Sequence, residues 1–205
     1  MLTRAQGLLE AARQSQSVEQ LYRGCDELLM ALKSDPESFE VVRASSLLAK
    51  ESLGPELQMR GLPPPREAAA AGLRALASGM ISGLLDGMLL YEQDEPPADF
   101  QLTVADAQLQ AKADVMVQNL GDIVRVARQS WAQGDADSLQ LLSGYGRHEN
   151  RKSDDEAMAL AASPGVPLFE FQVFLLATFK GGYAMGMADA AVVFVAGERP
   201  GQAPE

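Results

Sequence analysis

Gly72-Leu73-Arg74-Ala75-Leu76-Ala77-Ser78-Gly79-Met80-Ile81-Ser82-Gly83-Leu84-Leu85-Asp86-Gly87 is the stretch that decides the fold. It has no proline and few charges, so it reads as a helix buried on most of its sides. At about 100° per residue, positions 83 and 87 lie about 40° and 80° from position 79, and position 72 lies about 20° from it. Gly72, Gly79, Gly83 and Gly87 therefore share one narrow stripe. Each costs up to about 1 kcal/mol of helix propensity relative to alanine. Such a stripe persists where the missing side chains let another backbone approach closely. The expectation is a long central helix from about Arg66 to Tyr91.

A second stretch repeats the arrangement. Gly79-x-x-x-Gly83-x-x-Asp86-Gly87 aligns with Gly182-x-x-x-Gly186-x-x-Asp189-Ala190 at an offset of 103 residues, close to half of the 205-residue chain. Two long Gly-striped helices should therefore lie centrally, packed on each other or across a homodimer interface. The offset also suggests two pseudo-repeated halves, 1–95 and 100–197, joined by the acidic, proline-bearing residues 92–99. Asp86 and Asp189 each lie about 20° from the first glycine of their own stripe, so each points along the small-residue face. A carboxylate buried there needs hydrogen bonds or a cation. The commoner outcome is that it fixes helix register. The sharper alternative is a buried Asp86/Asp189 pair serving a small-molecule or metal-binding protein or an enzyme.

Outward from these helices the pattern stays helical. Leu2, Ala5, Leu9 and Ala12 mark a first short helix, and Ser17-Val18-Glu19-Gln20 has the form of a capping box opening a second. Asp35-Pro36 restarts the chain, and a third helix should end near Gly54-Pro55. After residues 92–99, Thr103 is expected to cap a helix carrying Leu109, Ala113, Met116, Leu120, Ile123, Ala127 and Trp131 on one face and ending at Gly134. A short helix then runs through Leu142, and the glycine-rich polar residues 144–153 read as a surface loop. Asp154-Asp155-Glu156 begins another short helix, and a last long one runs to about Ala196. Ala191 to Val195 has strand-like composition but no partner run. The fold class is all-α: a single domain, residues 1–205, with about seven to eight helices.

Composition narrows the function. The chain is 47% apolar and 22% charged, which excludes global disorder. A net charge of −11 argues against nucleic acid as a partner. One cysteine and one histidine leave neither a disulfide framework nor a His-rich metal site, so no metal and no cofactor is expected. The N-terminal residues carry no secretory pattern. Arg74 and Asp86 in one apolar stretch, and Lys180 and Asp189 in the other, disfavour a membrane span. A cytoplasmic location is the default.

No nucleotide loop, nucleophile elbow, zinc-protease helix or Cys-x-x-Cys pair occurs, so no catalytic residue is assigned. Cys25 lies on an apolar stripe and reads as a core thiol. Lys180 lies about 160° from Gly182 and so off the Asp189 face. Phe169, Phe171 and Phe174, with Met185 and Met187, read as core or, where exposed, as a protein-binding face. Arg147, Arg151 and Lys152, around His148, form a local basic patch in an acidic chain. Gly182-Tyr183-x-x-Gly186-x-x-Asp189 is similar to a stretch found in some small periplasmic immunity proteins that neutralise secreted bacterial amidases. The likeness covers nine of 205 residues, and this chain lacks the paired cysteines expected there. The favoured reading is a non-catalytic helical protein acting by protein–protein association: an adaptor, a chaperone-like protein or an immunity-type protein.

Overall fold

A computed structural model describes residues 2–34, 39–162 and 167–195, with side chains for residues 4–34, 39–149 and 167–193. Every regular element among them is an α-helix: α1 (Leu2–Arg13), α2 (Val18–Lys33), α3 (Phe39–Glu51), the five-residue α4 (Leu53–Leu57), α5 (Pro65–Gln93), α6 (Ala107–Gln133), α7 (Ala136–Ala162) and α8 (Leu168–Val195). No strand occurs among the described residues, and 191–195 lie in α8. The restart at Asp35-Pro36 lies outside the described residues. Ser17 caps α2, its hydroxyl accepting from the Gln20 amide, while the Gln20 side chain accepts from the Gln16 amide.

The bundle is organised around α5 and α8, which pack together at its centre. Nearly every residue of α5 from Ala75 to Tyr91 is buried. By length and composition α5 could cross a membrane, yet 72% of its apolar window is buried inside the protein. The missing side chains are what bring the two helices together. A Cβ on Gly83 would collide with the Tyr183 carbonyl, 2.8 Å from its carbon; one on Gly186 would lie 3.0 Å from the Met80 carbonyl carbon and 2.7 Å from Leu84 N. A Cβ on Gly79 would meet the Phe179 carbonyl and Tyr183 N, and one on Gly182 the Leu76 carbonyl and Met80 N, 3.0 Å from the nitrogen in each case. Gly87 faces the Ala190 methyl, and Gly72 faces only the Phe174 ring. Carbonyl oxygens directed at glycine Cα atoms are the arrangement in which weak Cα–H···O bonds recur between helices.

These pairings rise together from Gly72–Phe174 to Gly87–Ala190, so α5 and α8 run parallel. Parallel neighbours need a return path, and residues 94–106 supply it as an extended strap. Phe100 reaches back to Phe179, with ring centroids 6.3 Å apart, and Leu102 and Val104 are buried. Gln110 clamps the strap, donating to Leu102 O and accepting from Val104 N. The stretch expected to be a seam at 92–99 thus leads into a buried tether. The cap of α6 is Asp106, which accepts from Leu109 N at 2.8 Å, rather than the expected Thr103. α6 ends at Gly134 in the left-handed region, φ 66°, with Arg128 bonded to Asp94 and Trp131 against Tyr91.

The main correction concerns residues 144–153, which lie within the continuous helix α7 and not in a loop. Gly146 is there for contact: a Cβ would sit 2.5 Å from Met185 Cγ and 2.9 Å from Gly181 O. The expected short helices before and after this stretch are consequently one. On the other flank, α3 and α4 run antiparallel to α5, with Arg43 bonded to Glu95 at one end and Glu56 to Arg74 at the other.

Candidate functional site

The two carboxylates singled out by the glycine stripes have different surroundings. Asp86 is fully buried. Its Oδ1 accepts from Ser46 Oγ at 2.5 Å, and its Oδ2 receives the Tyr183 hydroxyl at 2.6 Å and Lys50 Nζ at 2.5 Å. Lys50, Ser46 and Tyr183 are themselves 2%, 2% and 1% exposed. The residues come from three helices: Ser46 and Lys50 are one turn apart on α3, Asp86 is on α5 and Tyr183 on α8. Burial first, and the Asp86 charge second, hold the Tyr183 hydroxyl well above its ordinary pKa, so it stays a donor. Both oxygens of Asp86 thus accept from donors of the protein itself, three in all. The arrangement fixes three helices against one another.

Asp189 is half-buried and has no hydrogen bond or ion pair among the described residues. Burial pushes its carboxyl up to about 7; Arg147 on α7 pulls it down and Asp26 on α2 adds to the rise. Cys25 lies in the same neighbourhood, its thiol raised by burial first and then by Asp189 and Asp26, which keeps it a protonated core group. Asp26 is raised too, by burial and by Glu27. Asp86 and Asp189 share no hydrogen-bond or ion-pair partner among the described residues, and the charges that act on the Asp189 carboxyl are those of Arg147 and Asp26, not that of Asp86. Among the described residues no three of His, Cys, Asp and Glu stand close enough to hold a metal ion.

Phe171, Phe174, Met185 and Met187 lie in the core, none more than 5% exposed, and Phe169 is half-buried against it. As placed here, they are not available as surface anchors. Arg147 and His148 are exposed on α7, while the side chains of Arg151, Lys152 and the Asp154-Asp155-Glu156 cluster lie outside the described residues. What the sequence reading missed on α7 is its outer apolar pair: Leu141 is 73% and Tyr145 40% exposed, one turn apart, with Lys180 Nζ 5.6 Å from the Tyr145 ring centre. Treating residues 144–153 as a loop hid that i, i+4 spacing. Comparison with protein-family models, curated proteins and solved structures finds no match.

Proposed function

We propose that the protein acts without catalysis, by binding another protein through the outer face of α7. What carries this reading is the pair Leu141 and Tyr145, exposed one turn apart with His148 on the same side of a helix whose other face is packed on α8. Large exposed groups at helical spacing, one of them a tyrosine, fit a protein-binding surface, in which aromatic anchors carry much of the energy. The acidic remainder of the chain favours selectivity and encounter rate. The closed state of the Asp86 cluster also favours association over chemistry, and an adaptor, chaperone-like or immunity-type role in the cytoplasm fits this behaviour.

The test is affinity capture of the tagged chain and of a Leu141→Glu, Tyr145→Ser variant, with unchanged helicity required of both. A stoichiometric partner lost from the variant supports the reading. A partner retained by the variant, or none at all, rejects it; self-capture lost from the variant makes the partner a second copy.

We infer further that the halves are duplicates of one three-helix unit. In support, the α5–α8 contacts exchange under the 103-residue offset: Gly79 meets Phe179 and Tyr183, as Gly182 meets Leu76 and Met80. Buried Leu21, Cys25, Leu28 and Leu32 of α2 match buried Met116, Leu120, Ile123 and Ala127 of α6 in spacing. Ser46-x-x-x-Lys50 on α3 likewise has its counterpart in Ser143-x-x-x-Arg147 on α7.

A further inference from the structure

We propose that the groove between the end of α1, α3, α4 and the middle of α5 binds a small organic anion: a carboxylate or phosphate head on a short apolar body. The groove has a volume of about 250 Å³, which suits a compact ligand. Leu53, Ala75 and Ala77 give it an apolar lining, and Leu48 stands on it 56% exposed.

Arg13 and Arg74 both line the groove. Arg74 is held by Glu56, through Nε at 2.5 Å and Nη2 at 3.2 Å, which leaves Nη1 uncommitted. Arg13 is half-buried and pairs with no carboxylate among the described residues; Nη2 makes one long bond, 3.5 Å, to Ser45 O. In a chain of net charge −11, a half-buried guanidinium with no carboxylate partner among the described residues is the observation that calls for a ligand. Its fork of N–H donors fits a planar or tetrahedral oxyanion. With two guanidiniums against one carboxylate, the groove carries one net positive charge.

The hydroxyls add a further donor. Ser52 Oγ gives its proton to Ala49 O at 2.7 Å and lies 2.6 Å from Ser78 Oγ, so Ser78 is the donor within that pair. Turning the Ser78 proton toward an anion leaves the Ser52 bond to Ala49 intact.

The test uses the full chain, titrated with hexanoate, the neutral hexanamide and inorganic phosphate, and read by calorimetry and by amide shifts at Leu48 and Ala75. Saturable hexanoate binding is expected, weakened about tenfold or more both in Arg13→Gln and for hexanamide. Glu56→Gln frees the second guanidinium and should tighten binding severalfold. Phosphate that displaces hexanoate points to phosphate-headed ligands; phosphate that does not bind while hexanoate does points to carboxylic acids. Absence of saturable binding by either anion overturns the proposal. So does hexanoate binding that is unchanged in both Arg13→Gln and Glu56→Gln.

Discussion

Replacing Gly83 by alanine should destabilise the protein, although alanine is the better helix former. In isolation the exchange gains up to about 1 kcal/mol of helix propensity. Against this, the new methyl would lie on the Tyr183 carbonyl, 2.8 Å from its carbon and 2.9 Å from its Cα. Unbonded carbons rest about 3.5–4.0 Å apart, so α5 and α8 must separate locally by roughly 1 Å. The obstacle is backbone, which has no rotamer to turn away. A gap of that size forfeits a quarter to a half of each dispersion contact it opens. Overpacking costs about 1–3 kcal/mol where side chains can adjust, and the rigid contact here places Gly83→Ala at the upper end. After the propensity gain, a net loss of about 2 kcal/mol remains, a fall in Tm of roughly 4–8 °C for a chain of this size. Urea unfolding followed by circular dichroism and by the fluorescence of Trp131 measures it. Gly121→Ala on the exposed face of α6 is the control: apart from its own helix, nothing lies within 4 Å of its Cβ, so it should stabilise by up to about 1 kcal/mol. Gly186→Ala should behave like Gly83→Ala. The double variant should cost less than the sum, because one separation of the helices relieves both clashes. Gly83→Ala as stable as the parent, or full additivity in the double variant, would refute the close-backbone account.

Two further outcomes follow from the polar clusters. Lys50→Met should cost about 3–5 kcal/mol by leaving the Asp86 charge buried without its ion-pair partner, and adding Asp86→Leu should restore much of the loss; denaturant midpoints decide, and a second substitution that brings no recovery counts against the ion pair. Asp189 has a folded-state pKa raised from 3.8 to about 7, so between these values the unfolded chain ionises while the folded one holds its proton. Stability is therefore lost as pH rises through that window, the reverse of a salt-bridged carboxylate, and Asp189→Asn should flatten the slope between about pH 4 and pH 7. Parallel pH profiles for parent and variant would exclude it.

How much of this was legible in the residues depends on what each residue reports. The glycine stripes of α5 and α8 announced close helix contact because glycine in a helix interior is costly and needs compensation. Gly144 and Gly146 carry the same signal in α7, but Gly144 has nothing within 4 Å of a Cβ and Gly146 faces α8, so the two do not form a shared stripe. Polar neighbours such as Arg147 and His148 then made the segment read as a loop. The parallel course of α5 and α8 was not legible either. It depends on the strap at 94–106, and Phe100, Leu102 and Val104 show an alternating pattern too short to stand out beside the proline-bearing linker. At Asp86 the helix angle gave the burial, while its partners Ser46 and Lys50 sit a full helix away and Tyr183 lies 97 residues on.

The contrast between the two carboxylates has a structural cause that can be tested. Shifting Tyr183, the donor to Asp86, by the 103-residue offset gives Met80, which has no hydroxyl to offer Asp189. Lys50 on α3 and Arg147 on α7 correspond at a different offset, 97 residues, as the Ser-x-x-x-Lys/Arg spacing has it; Lys50 Nζ reaches Asp86 at 2.5 Å while Arg147 is exposed and makes no ion pair with Asp189 among the described residues. One flank of the central helix pair is therefore locked by a buried polar cluster, and on the other the carboxylate has no ion-pair partner among the described residues and the arginine of α7 is exposed. If the halves are equivalent, Met80→Tyr places a hydroxyl at Asp189 and should lower its pKa from about 7 toward the ordinary carboxylate range. Carboxyl chemical shifts followed through a pH titration read the change directly. A pKa left where it stands, in a variant that keeps its helicity, would break the equivalence. The flank that lacks the lock is also the one that carries Leu141 and Tyr145.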